Sequence, residues 1–391
     1  MNELTCRPAV DADLDELAST AWRAFRQGDM ATWQRILAPS PWLQRGDTLV
    51  AERAGRMVGH ATAMRFTVRL GAVDEPMRGV AAVTVVPEAR RAGVADTLLR
   101  GLLHRMKEEG ATWTFLYPFS ISFYRKFGWG IADTFDLLTV RPGQFPASRE
   151  RSFVRRLEPG DRPAVEALYE KERGNGNLYR TEAWWKTRVW ERVSDGAVYD
   201  HHDGVRGYLL YRALPEAMIL GRQVIEVQEY VAPDVPSLQG LLGFLHALGE
   251  QFSEIRLRVP PGSAVGWLTD IPPTETNQKV AAQRCLGTMG RILDVPAVVG
   301  RLSMWGAIGL DVSDPVFGDT CWDVDSQGCR PGRQHPERLA LPIHLLSSVI
   351  TGAVDVRDVY RVGLVKGSWM AVEALRLAGG GPAVVSPLNG Y

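Results

Sequence analysis

Two segments of this sequence carry residue types whose spacing suits chemistry. The first is Arg90-Arg91-Ala92-Gly93-Val94-Ala95, preceded by the apolar run Gly79–Pro87 and followed by leucines at 98, 99, 102 and 103. Gly93 and Ala95 are small, so backbone N–H groups at a helix start can approach an anion closely. The helix dipole favours negative charge there, and two arginines add charged donors. Pyrophosphate binding is the chemistry such a loop serves, although a plain strand–turn–helix with a glycine turn has the same local look. The second segment, residues 114–130, contains Tyr117-Pro118-Phe119 and then Phe123-Tyr124-Arg-Lys-Phe127-Gly128-Trp129. A phenol of pKa ~10 stays protonated at neutral pH and can hand a proton to a departing group.

These residues need particular elements to hold them. The apolar run reads as a strand ending at Pro87, and the leucines place one face of an amphipathic helix against it. A second strand ends at Pro118, a short helix carries Phe123-Tyr124, and Phe-Gly-Trp turns into a further strand. The rest of the chain shows the same grammar. Arg7-x5-Asp13-x3-Leu17 is matched by Arg155-x5-Asp161-x3-Val165, and Val83-Thr-Val85-Val86-Pro87 by Glu229-Tyr-Val231-Ala232-Pro233. The offsets of 148 and 146 residues keep order and spacing, which indicates a duplicated unit. Each copy reads as strand, turn, and a helix starting near its Asp, an N-cap type. Counting from the paired prolines, Arg90 to Gly93 fall on Pro236, Ser237, Leu238 and Gln239. The positive charge and the glycine are gone there, so the second copy is expected to hold no such anion.

The chain has 391 residues, too many for one core of roughly 250–300 residues. A turn-rich linker, Arg141–Ser148, and a change of pattern near 290 give three expected domains, 1–145, 146–290 and 291–391. The last has alternating runs forming a hairpin (308–312 with 321–325) and helices near 341–351 and 370–377. Charges balance at 45 basic against 45 acidic residues, which argues against nucleic acid as a main partner. No apolar run approaches the ~20 residues of a membrane span, and the first residues lack a secretion signal. A cytoplasmic protein without a membrane partner is the expectation. Cys6, Cys285, Cys321 and Cys329 lie far apart, so neither a disulfide framework nor a metal site is expected. The acid-rich run Asp311, Asp314, Asp319, Asp323 and Asp325 lacks the pattern of a calcium loop and reads as a solvated hairpin.

With both segments in view, the chain resembles the GNAT superfamily of acetyl-CoA-dependent N-acetyltransferases. Arg90-x-x-Gly93-x-Ala95 is similar to its coenzyme A signature, and Phe123-Tyr124-Arg-Lys-Phe-Gly128-Trp129 to its tyrosine segment. Val80-Ala-Ala-Val-Thr-Val85, Leu116-Tyr-Pro118, the tandem second copy and the α+β third piece look like the Eis (enhanced intracellular survival) family. The resemblance implies an α/β (α+β) chain of tandem GNAT folds, the second degenerate, followed by a sterol-carrier-protein-like α+β domain.

The family likeness also implies roles. Val83 and Val85 would hold the acetyl-pantetheine arm, Arg90, Arg91, Gly93, Val94 and Ala95 the pyrophosphate, and Phe119 a further part of coenzyme A. Tyr124 would be the general acid, with Tyr117 a structural rival, and the carboxylate of Tyr391 the base. Phe25, Asp29 and Trp33 are candidates for the acceptor pocket, where Gln27 stands at a position at which family members can carry an acid. The implied acceptors are amines of the aminoglycoside, polyamine or lysine kind, the cosubstrate acetyl-CoA without a metal, and the assembly a homo-oligomer, commonly a hexamer. A different class of reading is a binding protein, a lipid carrier or an acetyl-CoA sensor without turnover.

Overall fold

A computed structural model describes residues 3–71, 73–193, 195–214, 223–261, 263–269, 282–302, 304, 306–378 and 389. Its internal contacts separate two units, residues 3–133 with 288–378, and residues 134–287 with Asn389.

In the first unit, the strands Leu4–Pro8, Thr48–Arg53, Arg56–Leu70 and Val73–Val85 run as an antiparallel meander. Trp113–Leu116 then joins parallel to Val73–Val85, followed by Met289–Ile292 and Gly130–Ile131. A parallel neighbour demands a crossover, and the helix Val94–Glu108 supplies it. Its residues Val94, Leu98, Leu99, Leu102, Leu103 and Met106 are all buried, the stripe that the leucine spacing dictates. Each such side chain removed from water contributes about 2 kcal/mol. Gly59 permits the close approach, since a Cβ there would lie 2.9 Å from Val94 Cγ1.

The second unit repeats this order. Val154–Arg156, Asp195–His201, Gly204–Leu214 and Val224–Val231 form the meander, Glu254–Val259 joins in parallel, and Thr134–Val140 and Ala282–Leu286 complete the sheet. The helix Val235–His246 crosses over it. Residues 141–148, expected as a linker, are packed into this unit: Phe145 is buried in its core and its carbonyl meets His246 Nδ1 at 2.7 Å.

The duplicated Arg-x5-Asp motif is a duplicated ion pair. Arg7 binds Asp13 at 2.7 Å and Glu52 at 2.6 Å, and Arg155 binds Asp161 at 2.7 Å and Asp200 at 2.8 Å. Neither Asp caps its helix with its side chain. Each instead accepts a backbone N–H three residues back, from Val10 and Glu158. The guanidinium holds each carboxyl below its usual range.

Within the first unit, the strands Gly328–Pro331, Thr320–Asp325, Ile308–Ser313, Arg338–Pro342 and Lys366–Gly367 form a third sheet. The expected hairpin of 308–312 with 321–325 is its centre. Its acidic run is not simply solvated. Asp311 and Asp323 both bind Arg338 at 2.9 Å, and Asp314 binds the fully buried Arg291 at 2.8 Å. The run supplies counter-ions to arginines distant in sequence, which local pattern cannot reveal. Among the described residues no group of His, Cys, Asp or Glu could hold a metal ion, and the four cysteines are free.

Candidate active site

The strand Val73–Val85 pairs with Trp113–Leu116 only from Met77↔Trp113 to Val80↔Leu116. It runs five residues further along its other neighbour, as far as Val85↔Gly59. The two parallel strands therefore part beyond Val80, and the edge carrying Val83 and Val85 faces an open wedge. An irregularity in pairing lies at this point: His60 opposes Thr84 and Thr62 opposes Ala81, leaving Ala82 in a bulge at φ +49°. Such bulges re-aim a strand edge. Val83 and Val85 are half-buried and pack against the hydrophobic cluster that contains Leu116 and Tyr124.

The wedge leads into the glycine loop. Pro87–Ala89 makes one tight turn, Arg91 and Gly93 take positive φ values of 60° and 82°, and the helix begins at Val94. Gly93 stands at the N-cap and no side chain caps the helix, so the first-turn N–H groups, among them those of Val94 and Ala95, keep their donors for an anion. A Cβ at Gly93 would meet nothing within 4 Å. The space in front of the helix start is thus kept clear by the chain itself. Arg90 and Arg91 are exposed beside it, and Arg90 Nη2 also reaches Ala24 O at 3.3 Å. These residues fit a pyrophosphate.

Arg90 ties the loop to the end of the helix Leu14–Phe25, and Arg23 binds Glu88 at 2.5 Å. Phe25 follows directly. Its ring stacks on Trp33 at 5.1 Å and 15°, and Trp33 Nε1 donates to Gln27 O at 2.8 Å. Trp33 and the bulge residue Ala82 pack against one small cluster. Asp29 also caps the helix Met30–Leu37, accepting Thr32 N–H at 2.8 Å, and hydrogen bonds from the Thr32 hydroxyl and N–H lower its pKa.

Tyr124 sits on the one-turn helix Ile121–Arg125, started by Ser120 accepting Phe123 N–H. Its ring lies 5.2 Å from Phe119 and Phe123 and 6.0 Å from Trp129. The side chain is buried, and burial pushes its phenol up from the ordinary value. Phe119, by contrast, is 71% exposed, a large apolar ring left to solvent beside the tyrosine. Tyr117 is exposed too. Tyr391 lies outside the described residues.

Two features escaped the sequence. Arg291 is fully buried and donates to Phe127 O at 2.5 Å and to both oxygens of Asp314 at 2.8 Å. It thereby fixes the turn directly after Tyr124. Their separation of 164 residues hides the link; the one local sign is Gly128, at φ +88°, where a Cβ would strike that guanidinium. His60 is the other. It is buried under the bulge with Nε2 on Leu17 O at 3.1 Å and no partner for Nδ1, and burial lowers its pKa to about 4.

The chain has known relatives in sequence and in fold. Two family profiles, each described as an acetyltransferase (GNAT) domain, match residues 5–132 and 176–292. N-acetyltransferase Eis of Mycobacterium tuberculosis is 28% identical over 343 residues, 80% of this chain and 81% of that protein, and the protein of the same name in Mycobacterium bovis matches equally. Among solved structures, a GCN5-related N-acetyltransferase from Anabaena variabilis superposes with TM-score 0.81 at 18% identity, covering 98% of this chain and 99% of that one. Eis1 from Mycobacterium abscessus superposes with TM-score 0.80 at 21% identity, covering 98% and 99%. At such identities the structural likeness speaks for the fold.

Proposed function

Since the chain belongs to the Eis-type GNAT N-acetyltransferases, we propose that it acetylates primary amines of the aminoglycoside, polyamine or lysine kind by direct transfer, with Tyr124 as general acid. The observation that supports this reading most is the wedge beyond Val80 and Leu116, which runs into an uncapped helix start at Gly93.

Acetyl-CoA supplies the acetyl thioester. The edge at Val83 and Val85 would bind its pantetheine arm as an added strand. Arg90, Arg91 and the N–H groups at Gly93, Val94 and Ala95 would hold its pyrophosphate, with Phe119 against another part. The amine attacks the carbonyl carbon as the carbon–sulfur bond breaks. Tyr124 Oη gives its proton to the leaving sulfur, a task for which burial keeps the phenol protonated. The carboxylate of Tyr391 takes the proton that the amine loses. Phe25, Trp33 and Asp29 would line the acceptor pocket, the two rings offering their faces to a cationic acceptor before it is deprotonated, and Asp29 also caps the helix that carries Trp33. We further propose that the third piece, 291–391, is sterol-carrier-like, and that the protein is a cytoplasmic homo-oligomer, a hexamer by family likeness. Among the described residues no helix is long and apolar enough to cross a membrane.

A thiol-release assay with acetyl-CoA and an acceptor panel tests the reading. Tyr124→Phe is expected to lower kcat about a hundredfold, the usual worth of a general acid, with little change in acetyl-CoA affinity. Turnover undiminished in that variant would remove Tyr124 from the mechanism. Acetyl-CoA binding without turnover on any amine would favour a sensor.

A further inference from the structure

We propose that the second unit is a clamp for the chain's own C-terminal segment, gripping the carboxamide of Asn389 and so limiting where the carboxylate of Tyr391 can reach. The positioning half of this inference rests on the reading of Tyr391 as the base. Asn389 is 1% exposed and stands two residues before Tyr391. Terminal residues stay ordered only when tied down, and here both polar atoms of the side chain are held. Its Oδ1 accepts from Arg180 Nε at 2.8 Å. Its Nδ2 donates to Asn177 Oδ1 at 3.0 Å and to Tyr169 Oη at 3.5 Å. The Tyr169 hydroxyl gives its own proton to Leu178 O at 2.8 Å, so towards Asn389 it acts as an acceptor.

The clamp selects a carboxamide. The Arg180 side chain is fully buried, and its two terminal nitrogens are taken by Glu229 at 3.0 and 2.5 Å. Tyr208 adds a bond to the same carboxylate at 2.9 Å. Glu229 thereby cancels the guanidinium charge, and Nε is left as a donor for a neutral oxygen. A carboxylate at that place would stand beside Glu229 and bring no N–H to Asn177 and Tyr169. Two acids that share one buried counter-ion are disfavoured. The chain's own terminal carboxylate is therefore excluded from the clamp, which gives the tail a single register.

The duplication supplied the position. Parallel pairing in this copy stops at Val227↔Leu257, and Glu229, counted from the paired prolines, falls on Val83 of the first copy. The helix start beside it no longer suits an anion: Asp234 caps Val235–His246, accepting Ser237 N–H at 2.9 Å, and Pro236 has no N–H. Where the first copy carries a valine for the acetyl-pantetheine arm, the second carries a buried acid whose counter-ion holds the tail. From Asn389 to Tyr391 two peptide units span at most about 8 Å. Asn389 is thus a positioning residue for the terminal carboxylate.

The test is timed carboxypeptidase Y digestion of the full chain, read by mass, beside steady-state kinetics. Residues 389–391 are expected to be lost at least tenfold faster in Asn389→Ala, Asn389→Asp and Asn177→Ala than in the native chain, tenfold being the worth of one buried hydrogen bond. KM for acetyl-CoA should be unchanged in all three, the check that the first unit is folded. Asn389→Ala should lower kcat, and in a chain lacking Tyr391 it should lower kcat no further, because two residues acting through one carboxylate are not additive. A residue that only supported the fold would add its own loss. Native release as fast as in the variants overturns the clamp, and native protection in Asn389→Asp overturns its choice of a carboxamide. Additive losses of kcat overturn the positioning role. If removal of Tyr391 leaves kcat intact, the base assignment falls, and the digestion still decides the clamp.

Discussion

Replacing Arg291 by Met should uncouple the tyrosine turn from the third sheet. Arg291 and the carboxylate of Asp314 are 0% and 8% exposed, and they meet at 2.8 Å. Burial pulls the guanidinium below its ordinary value while Asp314 counteracts that. Met fills similar volume but leaves the carboxylate buried with only the N–H groups of Val316 and Phe317, at 2.8 and 3.0 Å, to hold it. Breaking one side of a buried pair costs about 3–5 kcal/mol. In a body of this size that is a fall in Tm of roughly 10 °C. It also frees Phe127 O, three residues after Tyr124, so kcat should fall more than KM rises when assayed well below the new Tm. Differential scanning calorimetry and steady-state kinetics read the two effects. Arg291→Met/Asp314→Asn removes the stranded charge and should recover about half of the lost stability. A single variant as stable as the native chain, or a double variant no better than the single, would refute the argument that this pair is held by mutual neutralisation.

Other perturbations give equally definite outcomes. His60 has a folded pKa of about 4 against 6.5, so the unfolded chain binds its proton first. Its share of stability is complete above pH 6.5 and is lost as pH falls towards 4, about 2 kcal/mol by pH 5; His60→Gln should flatten that part of a Tm-against-pH curve. Gly93→Ala meets no neighbour, yet must hold φ +82°. It should cost about 1 kcal/mol of stability while raising KM for acetyl-CoA at least tenfold, because the methyl enters the space kept clear for the anion. Asn389 is buried in the second unit, accepting from Arg180 Nε at 2.8 Å and donating to Asn177 Oδ1 at 3.0 Å. Asn389→Ala should destabilise that unit by about 1–3 kcal/mol, measured by hydrogen exchange of the helix Arg162–Glu172.

The sequence by itself settled what depends on near neighbours. The leucine stripe at 98–103, the glycine loop before it, the short helix at Tyr124 and each copy of the Arg-x5-Asp motif all follow from spacing within about thirty residues. Periodicity and turn chemistry are local properties, so the elements around the site were legible with their order. Asp13 and Asp161 show the limit even there. Their type suggested helix caps, but an arginine six residues earlier competes for the carboxylate and wins by charge.

Only the tertiary structure decided which distant groups meet. Arg291 reaches Phe127, Arg338 gathers two aspartates of the acidic run, and Phe145 leaves an apparent linker for a core. Asp29, read as an acid for a cationic acceptor, is also a helix cap that accepts Thr32 N–H. The wedge is of the same nature. The strand residues read alike along their whole length, and nothing in their alternation says that pairing stops at Val80 in one copy and Val227 in the other. Partners across a sheet are chosen by long-range packing and by a bulge of one residue. A code of near-neighbour spacing carries the first turn of a helix, but not the place where two strands come apart.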